Sequence, residues 1–277
     1  MEPNEGRYVP TPKDRAKIFS AKSRRRSARI FARIVYFAIV VLVLAFMLFL
    51  VAKLFFSVDD IIVNMTVYES QNYDVNTVKE TSGVSEGDIL FFADKGKIEE
   101  NIKNNLPFVD KVSVKKEFPN TITINIVEEK ESFYFKYADR YFVISSDLKV
   151  LALFDSEEAL VSADYYDSIM KVELDDVKEV EITKTVVFFN SESYRRSEKV
   201  LKTVEASPLY GKISNFDMSE LYDLKFVYDS RIDVYFGSHI DFEKKLENVE
   251  KIIALHAESV KGYIYIYNAD EAHVSLN

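Results

Sequence analysis

The most overt catalytic spelling in the chain is Gly83-Val84-Ser85-Glu86-Gly87, which matches the G-x-S-x-G pattern of a serine-hydrolase elbow. That motif needs a strand before the serine and a helix after it, so that the hydroxyl stands exposed on a sharp turn. Here the flanking pattern is reversed, with a helix first and an apolar run after it, and the two glycines read as a helix stop and a turn. Three histidines, His239, His256 and His273, lack metal-ligand spacing such as H-x-x-x-H. His256 falls on a long helical pattern and the other two in loops or termini. Carboxylates are adjacent at Asp59-Asp60, Glu128-Glu129 and Asp175-Asp176. Neighbours on a strand point to opposite faces, so these pairs do not converge as acid and base and are read as solvated surface. The expectation is no catalytic, cofactor-binding or metal-binding residue, and no enzyme.

Composition narrows the classes further. Seven Gly in 277 residues leave little for phosphate-cradling loops, and the absence of Cys removes disulfides, thiol catalysis and cysteine-ligated metals. Seventeen Tyr and 21 Phe suit extensive strands.

Residues 34–52, IVYFAIVVLVLAFMLFLVA, carry no charge and lie between Arg33 and Lys53. With Leu54, Phe55 and Phe56 they can cross the roughly 30 Å hydrocarbon core of a bilayer as a helix, which satisfies its own backbone polar groups. A cleaved signal peptide would have an apolar region about half as long, ending in a small-residue site. Segment 34–56 is therefore expected to be a membrane-inserted anchor. The preceding 33 residues hold ten Lys or Arg against three acids, whereas residues 54–277 carry a net charge of −17. Basic residues beside a span stay inside, so residues 1–33 are expected as a cytoplasmic basic tail and the remainder outside a plasma (inner) membrane. The cluster Arg24-Arg25-Arg26 reads as a topology signal rather than a nucleic-acid site. Residues 1–13, with three Pro, are expected to be disordered, and residues 14–33 to continue the membrane helix inward. An acidic exterior repels nucleic acid, and a protein is the expected partner.

Beyond the anchor the pattern becomes regular. Ile61, Val63, Met65 and Val67 alternate with Ile62, Asn64, Thr66 and Tyr68, the period of a half-buried strand. Asp74 caps a helix over Val75–Ser82 that Gly83 terminates. After the run Ile89-Leu90-Phe91-Phe92, Asp94 caps a second helix with Ile98, Ile102 and Leu106 on one face, stopped by Pro107. Val112 and Val114, then Ile122, Ile124 and Ile126, mark two strands joined by Glu117-Phe118-Pro119-Asn120. The fold class is α+β, a small βααββ domain over residues 57–128 with both helices on one face of its sheet.

From 129 to 268 a strand-rich β domain is expected. Its strands fall near 132–137, 141–145, 149–154, 168–173, 182–188, 212–217, 223–228 and 231–236, with a helix over 193–206. Ser238 and Asp241 have capping-box spacing, ahead of a helix with Phe242, Leu246, Val249 and Ile253 on one face. Residues 155–181 are acidic and poorly periodic, and 269–277 form a C-terminal tail placed to extend or cover the edge of the strand before it. In Gly262-Tyr263-Ile264-Tyr265-Ile266-Tyr267, Ile264 and Ile266 face the core and the tyrosines the opposite side. Two readings stand: an ordinary strand with surface tyrosines, or an edge strand that recruits a partner's strand.

The order of elements directly after an anchor resembles a POTRA domain. Leu106-Pro107-Phe108-Val109, the segment Val112-Ser113-Val114-Lys115-Lys116-Glu117-Phe118-Pro119-Asn120-Thr121-Ile122 and the strand closing on Glu128 resemble the POTRA end of the bacterial division proteins FtsQ and DivIB. Farther on, Tyr141-Phe142-Val143-Ile144-Ser145 with Val150-Leu151, Val234-Tyr235-Phe236-Gly237 with Lys244, Lys245 and Leu246, and residues 262–267 resemble segments of that family's β domain. Two departures stand out. Lys130 precedes Glu131 where the family often has Pro, and the turn Ser146-Asp147-Leu148-Lys149 lacks the usual Gly. The resemblance implies a scaffold at the division septum that binds FtsB/DivIC-like and FtsL-like proteins at the last strands, with recruitment through the POTRA domain. That complex regulates the septal peptidoglycan synthase complex, and no small-molecule substrate is implied. The partner-binding residues expected are Tyr263, Tyr265, Tyr267, Ile264 and Ile266, with Val234 and Phe236 from the preceding strand. A rival reading is a single-span extracytoplasmic sensor or anti-sigma-like regulator, for which residues 1–33 are too short and basic to supply a folded cytoplasmic module. A second rival, an anchored cell-wall enzyme, would need a catalytic pair that the sequence does not offer.

Overall fold

A computed structural model describes residues 12–66, 72–163, 169–220 and 222–277, with side chains of the first helix from residue 30 onward. Of the stretch expected to be disordered, residues 1–11 lie outside the described residues, as do Val67, Tyr68 and part of 155–181; Pro12 and Lys13 open helix α1 (Pro12–Phe55). Within α1, residues Ile30–Phe55 are long and apolar enough to cross a membrane. Its large apolar side chains there are exposed all round the helix. A helix apolar on every side and covered by no protein is one that lipid solvates.

The first domain follows without a linker and matches the expected order: β1 (Asp60–Thr66), α2 (Val75–Ser82), α3 (Lys95–Asn105), β2 (Val109–Glu117) and β3 (Thr121–Glu128). Its sheet runs β1-β3-β2, with β1 parallel and β2 antiparallel to β3. The caps form as the sequence predicts. The Thr77 N–H donates to the Asp74 carboxylate at 2.7 Å, and Gly96 and Lys97 N–H groups donate to Asp94. Gly83 leaves α2 at a φ of 72°. Val78, Ile98 and Ile102 from the helices bury against Ile122, Ile124 and Ile126. Glu128 is buried and accepts from the Asn72 backbone N–H at 3.3 Å and its amide nitrogen at 3.1 Å, tying the chain before α2 to the end of the sheet.

The second domain is built on a nine-stranded sheet. Its strands are β4 (Phe133–Tyr137), β5 (Arg140–Ile144), β6 (Val150–Phe154), β7 (Met170–Leu174), β10 (Ile213–Met218), β11 (Leu224–Tyr228), β12 (Ile232–Gly237), β13 (Gly262–Asn268) and β14 (Glu271–Leu276), ordered β14-β13-β12-β11-β10-β7-β4-β5-β6. A separate ribbon pairs β8 (Val177–Glu179) with β9 (Val187–Phe188). The strand expected over 182–188 survives only as β9 and a single bridge from Thr185 to Lys149, because residues 182–184 turn, with Thr183 at a φ of 75°. The acidic, poorly periodic stretch contains α4 (Glu157–Ser162), β7 and β8. Helices α5 (Ser191–Glu205) and α6 (Phe242–Ala254) pack Val200, Leu201, Val204, Phe242, Leu246 and Val249 onto one face of the sheet. On the other face α4 covers Tyr134, Val143 and Leu151 at the β4–β6 end.

Two expectations about carboxylates are overturned. Asp175 and Asp176 are not solvated surface: Asp175 accepts from the buried Arg196 guanidinium at 2.6 Å, and Asp176 accepts from the Asn190 N–H and the Ser193 hydroxyl, fixing the start of α5. Glu128 and Glu129 are likewise withdrawn from bulk water. The turn lacking the usual Gly places Leu148 itself at a φ of 62°. A left-handed non-glycine residue costs about 1–2 kcal/mol. Leu148 is wholly buried, and sinking a leucine side chain contributes about 1.5–3 kcal/mol, so burial prevails over strain.

The two domains are braced where they join. The Glu129 N–H donates to the Phe108 carbonyl at 2.8 Å, and the Lys149 ammonium donates to the Val109 carbonyl at 2.5 Å. The Phe108 ring packs against the Tyr134–Val143–Leu151 cluster. Burial, then the charge of Asp110, pushes the Glu129 carboxyl up to about 7 while Lys149 pulls the other way. From the ordinary carboxylate range up to about 7 the folded chain therefore holds a proton that the unfolded chain has lost, and stability falls as pH rises through that window. Glu129→Gln should stabilise the protein more at pH 8 than at pH 5, by a difference of about 1 kcal/mol after solvent screening at this half-buried site. Denaturant midpoints at the two pH values check this; an equal effect at both would mean that the carboxyl carries no such proton.

Of the two roles open to the C-terminal residues, extending the edge and covering it, the structure shows the first, as a paired strand and not a loose tail. Residues 271–276 pair antiparallel with β13 as β14, so the second domain runs to the end of the described chain. Gly262 permits this pairing. It holds a φ of 146°, and a Cβ there would lie 2.0 Å from the Ser275 carbonyl oxygen. Gly262→Ala should cost more than about 1 kcal/mol and strip hydrogen-exchange protection from β14. Unchanged melting and unchanged protection would show that β14 does not depend on this close approach.

Candidate partner interface

Strand periodicity divides residues 262–267 as the sequence predicts. Ile264 and Ile266 are completely buried, together with Val234 and Phe236 of β12. These four expected contact residues thus belong to the core and position the site without touching its surface. Tyr263 and Tyr267 stand 46% and 58% exposed, with Tyr265 half-buried between them.

The tyrosines form a continuous stack that includes one residue absent from the expected set. Tyr235 on β12 lies parallel to Tyr265 at 4.8 Å between ring centroids, and Tyr265 is 6.4 Å from Tyr263 and 6.2 Å from Tyr267. Tyr235 sits between Val234 and Phe236, so with those two facing inward the alternation alone turns its side chain outward. Burial, with Asp233 and the adjacent tyrosines, pushes the Tyr235 hydroxyl up from its ordinary value, so it stays neutral across the physiological range. Cross-strand pairing extends the row, with Lys225 beside Tyr235 and His273 beside Tyr265. The Lys225 ammonium is itself held by Asp217 at 3.2 Å.

The edge is not at β13, where strand pattern alone places it. β13 has β12 on one side, in parallel, and β14 on the other. Both of its ladders are occupied, so it cannot accept another strand. The open edge belongs to β14. Lys261 and Asn277 exchange both backbone hydrogen bonds. Hydrogen-bonded and non-hydrogen-bonded pairs alternate in an antiparallel ladder, so Tyr263–Ser275 and Tyr265–His273 are bonded pairs. Ala272, Val274 and Leu276 then point their N–H and C=O groups away from the sheet. Asn248 on α6 holds the β13–β14 turn by donating to the Ala269 carbonyl at 2.6 Å.

The segment from β12 into α6 sets the far end of the stack. Gly237 turns the chain at a φ of 65°, and a Cβ there would lie 2.6 Å from a carbon of the Tyr267 ring. The expected capping box does not form. Asp241, the residue preceding α6, has a φ of 53° and makes no side-chain cap, and the Phe242 N–H bonds to the His239 carbonyl. Lys245 holds this turn instead. It is buried, burial lowers its pKa, and its ammonium donates at 3.0 Å to the carbonyls of Phe236 and Ser238.

The other residues singled out for chemistry are dispersed. Ser85 lies exposed beyond the end of α2, its N–H on the Asp88 carboxylate at 2.9 Å, and no strand leads into it. His256 lies just past α6 rather than on it, with Nδ1 2.7 Å from the Ile252 carbonyl; His239 lies in the loop before α6, and His273 near the C-terminus, on β14.

A family model described as "POTRA domain, FtsQ-type" matches residues 62–129, the span of the first domain's sheet and helices. Among curated relatives, the cell division protein DivIB of Clostridium acetobutylicum is 26% identical over 192 residues, 68% of this chain and 72% of that protein. DivIB of Clostridium botulinum is 24% identical over 202 residues, 70% of this chain and 73% of its own. The cell division protein FtsQ of Corynebacterium glutamicum is 33% identical over 90 residues, covering 32% of this chain and 40% of that one. With an apolar N-terminal helix, a domain that matches the FtsQ-type POTRA model and a strand-rich domain behind it, the chain is similar over about two thirds of its length to bacterial cell-division proteins of the FtsQ/DivIB family.

Proposed function

We propose that this protein is a non-enzymatic scaffold of the division septum that docks FtsB/DivIC-like and FtsL-like partners on the β14 edge and the tyrosine face beside it. Through them it reaches the septal peptidoglycan synthase complex. The observation that carries the reading is the open β14 edge, with three outward N–H and C=O pairs next to four stacked tyrosines. A partner strand added there gains main-chain hydrogen bonds for affinity, and tyrosine rings supply large, rigid contact area. Val274, 43% exposed, offers an apolar side chain on the edge itself. The same reading puts the N-terminus in the cytoplasm and both folded domains outside, as the basic residues before the span favour.

The edge can be tested separately from the fold. Val274→Pro removes an outward N–H without breaking a bond to β13, since proline is tolerated on an edge strand whose N–H faces solvent. Full-length protein in nanodiscs should then bind the full-length partner pair about tenfold more weakly, about 1.4 kcal/mol, with melting little changed. Tyr265→Ala should also weaken binding. Wild-type affinity for Val274→Pro would rule out strand addition at β14. A fluorescent fusion at the N-terminus should form a band at midcell in dividing cells, whereas uniform membrane signal would favour the sensor reading.

A further inference from the structure

The first domain carries a group of aromatic side chains that its own core does not use. Phe91, Phe92 and Phe118 are 56%, 79% and 59% exposed, although Leu90 beside Phe91 in sequence is fully buried. Phe91 and Phe118 gather around Phe56, the first residue after α1, with centroid separations of 5.0 Å for Phe56–Phe91, 6.3 Å for Phe56–Phe118 and 5.3 Å for Phe91–Phe118. They come from two separate turns, 89–92 and the β2–β3 hairpin, that converge on the end of the helix.

The backbone fixes this group at the level of the helix end. Ser57 already bridges Ile89, the Leu90 N–H donates to the Phe56 carbonyl at 2.8 Å, and the Val58 N–H donates to the Asp88 carbonyl at 2.7 Å. Phe92 lines a cleft with Phe49 and Lys53 of α1. The uncharged stretch 34–52 measures roughly 29 Å at about 1.5 Å per residue, about what the roughly 30 Å hydrocarbon core takes, and Lys53 marks its outer limit. The last turn therefore lies in the interfacial layer, and side chains touching it share that depth.

We infer that Phe56, Phe91, Phe92 and Phe118 seat the first domain in the outer interfacial layer of the bilayer that α1 crosses, with lipid as the occupant of this apolar face. The inference rests on the reading of α1 as a membrane span. Aromatic and apolar side chains are favoured at that level, as in the belts of membrane proteins and the apolar faces of interfacial helices. Charges around the patch are mixed: Lys53, Lys97 and Lys116 stand among Asp59, Asp88, Asp94 and Glu117. The attachment is therefore apolar and does not require anionic lipid. Lys116 lays its stem along the patch and donates to the Phe91 carbonyl at 3.1 Å.

The chain contains no tryptophan, so single substitutions give clean reporters. Full-length Leu44→Trp, Phe92→Trp, Phe118→Trp and Tyr267→Trp variants would be reconstituted into phosphatidylcholine vesicles, with and without bromine on the acyl chains. The expected result is bromine quenching and blue-shifted emission for positions 44, 92 and 118, with position 267 unquenched. Quenching at 44 with water-like emission at 92 and 118 would overturn the inference and leave the span standing. Blue-shifted but unquenched emission at 92 and 118 would also overturn it, since protein and not lipid would then cover the patch. No quenching at 44 would remove the span and the inference together. Phe92→Cys in this cysteine-free chain, carrying a nitroxide, reads the same depth independently through its accessibility to oxygen over a nickel chelate; preference for the chelate would count against lipid contact.

Discussion

The candidate interface depends on the parallel pairing of β12 with β13. Parallel neighbours cannot be joined by a hairpin, so the chain must leave the sheet, cross one face and return. Helix α6 makes that crossing, and its Phe242, Leu246, Val249 and Ile253 bury the inner face that Val234, Phe236, Ile264 and Ile266 present. With the connection committed to one side, the other side stays bare, and alternate residues of the same two strands become the tyrosine stack. Helix α4 and Phe108 cover that outer face at the β4–β6 end. The exposed aromatic surface is thus confined to the end farthest along the sheet from the first domain.

Several charged groups lie inside this structure, each with partners that offset its removal from water. Arg196 has Asp175, Glu128 has Asn72, and Lys245 has two carbonyls. Breaking any of these by removing one partner would strand a polar group away from water, which costs far more than a surface pair contributes. Lys245 is the most informative of them. It replaces a conventional helix cap with a cation reaching back across the turn, and so joins the end of β12 to the start of α6.

The first domain is readable from sequence almost residue by residue, because its signals are local: Asp74 and Asp94 at helix starts, Gly83 and Pro107 at helix ends, and alternating Ile in the strands. Most strands of the second domain are legible for the same reason. Its topology is less so: residues 269–277 read only as a tail that extends or covers the edge, because their alternation of Ala272, Val274 and Leu276 is too short and too weakly apolar to mark a strand. That single addition moves the open edge from β13 to β14. Tyr235 is legible from its inward-facing neighbours once they are placed. The capping box fails because spacing alone cannot report that Asp241 adopts a left-handed backbone while Lys245, a turn into the helix, serves the carbonyls.

The junctions at both ends of the first domain have a mechanical corollary. Helix α1 passes into Ser57 and Val58 with the backbone already paired, and Phe108, Val109, Glu129 and Lys149 lock the first domain to the second. Two joints that would ordinarily be swivels are instead stiff. With both joints hydrogen-bonded, a rotation or tilt of α1 carries β14 with it, and a force on β14 is passed back to the helix.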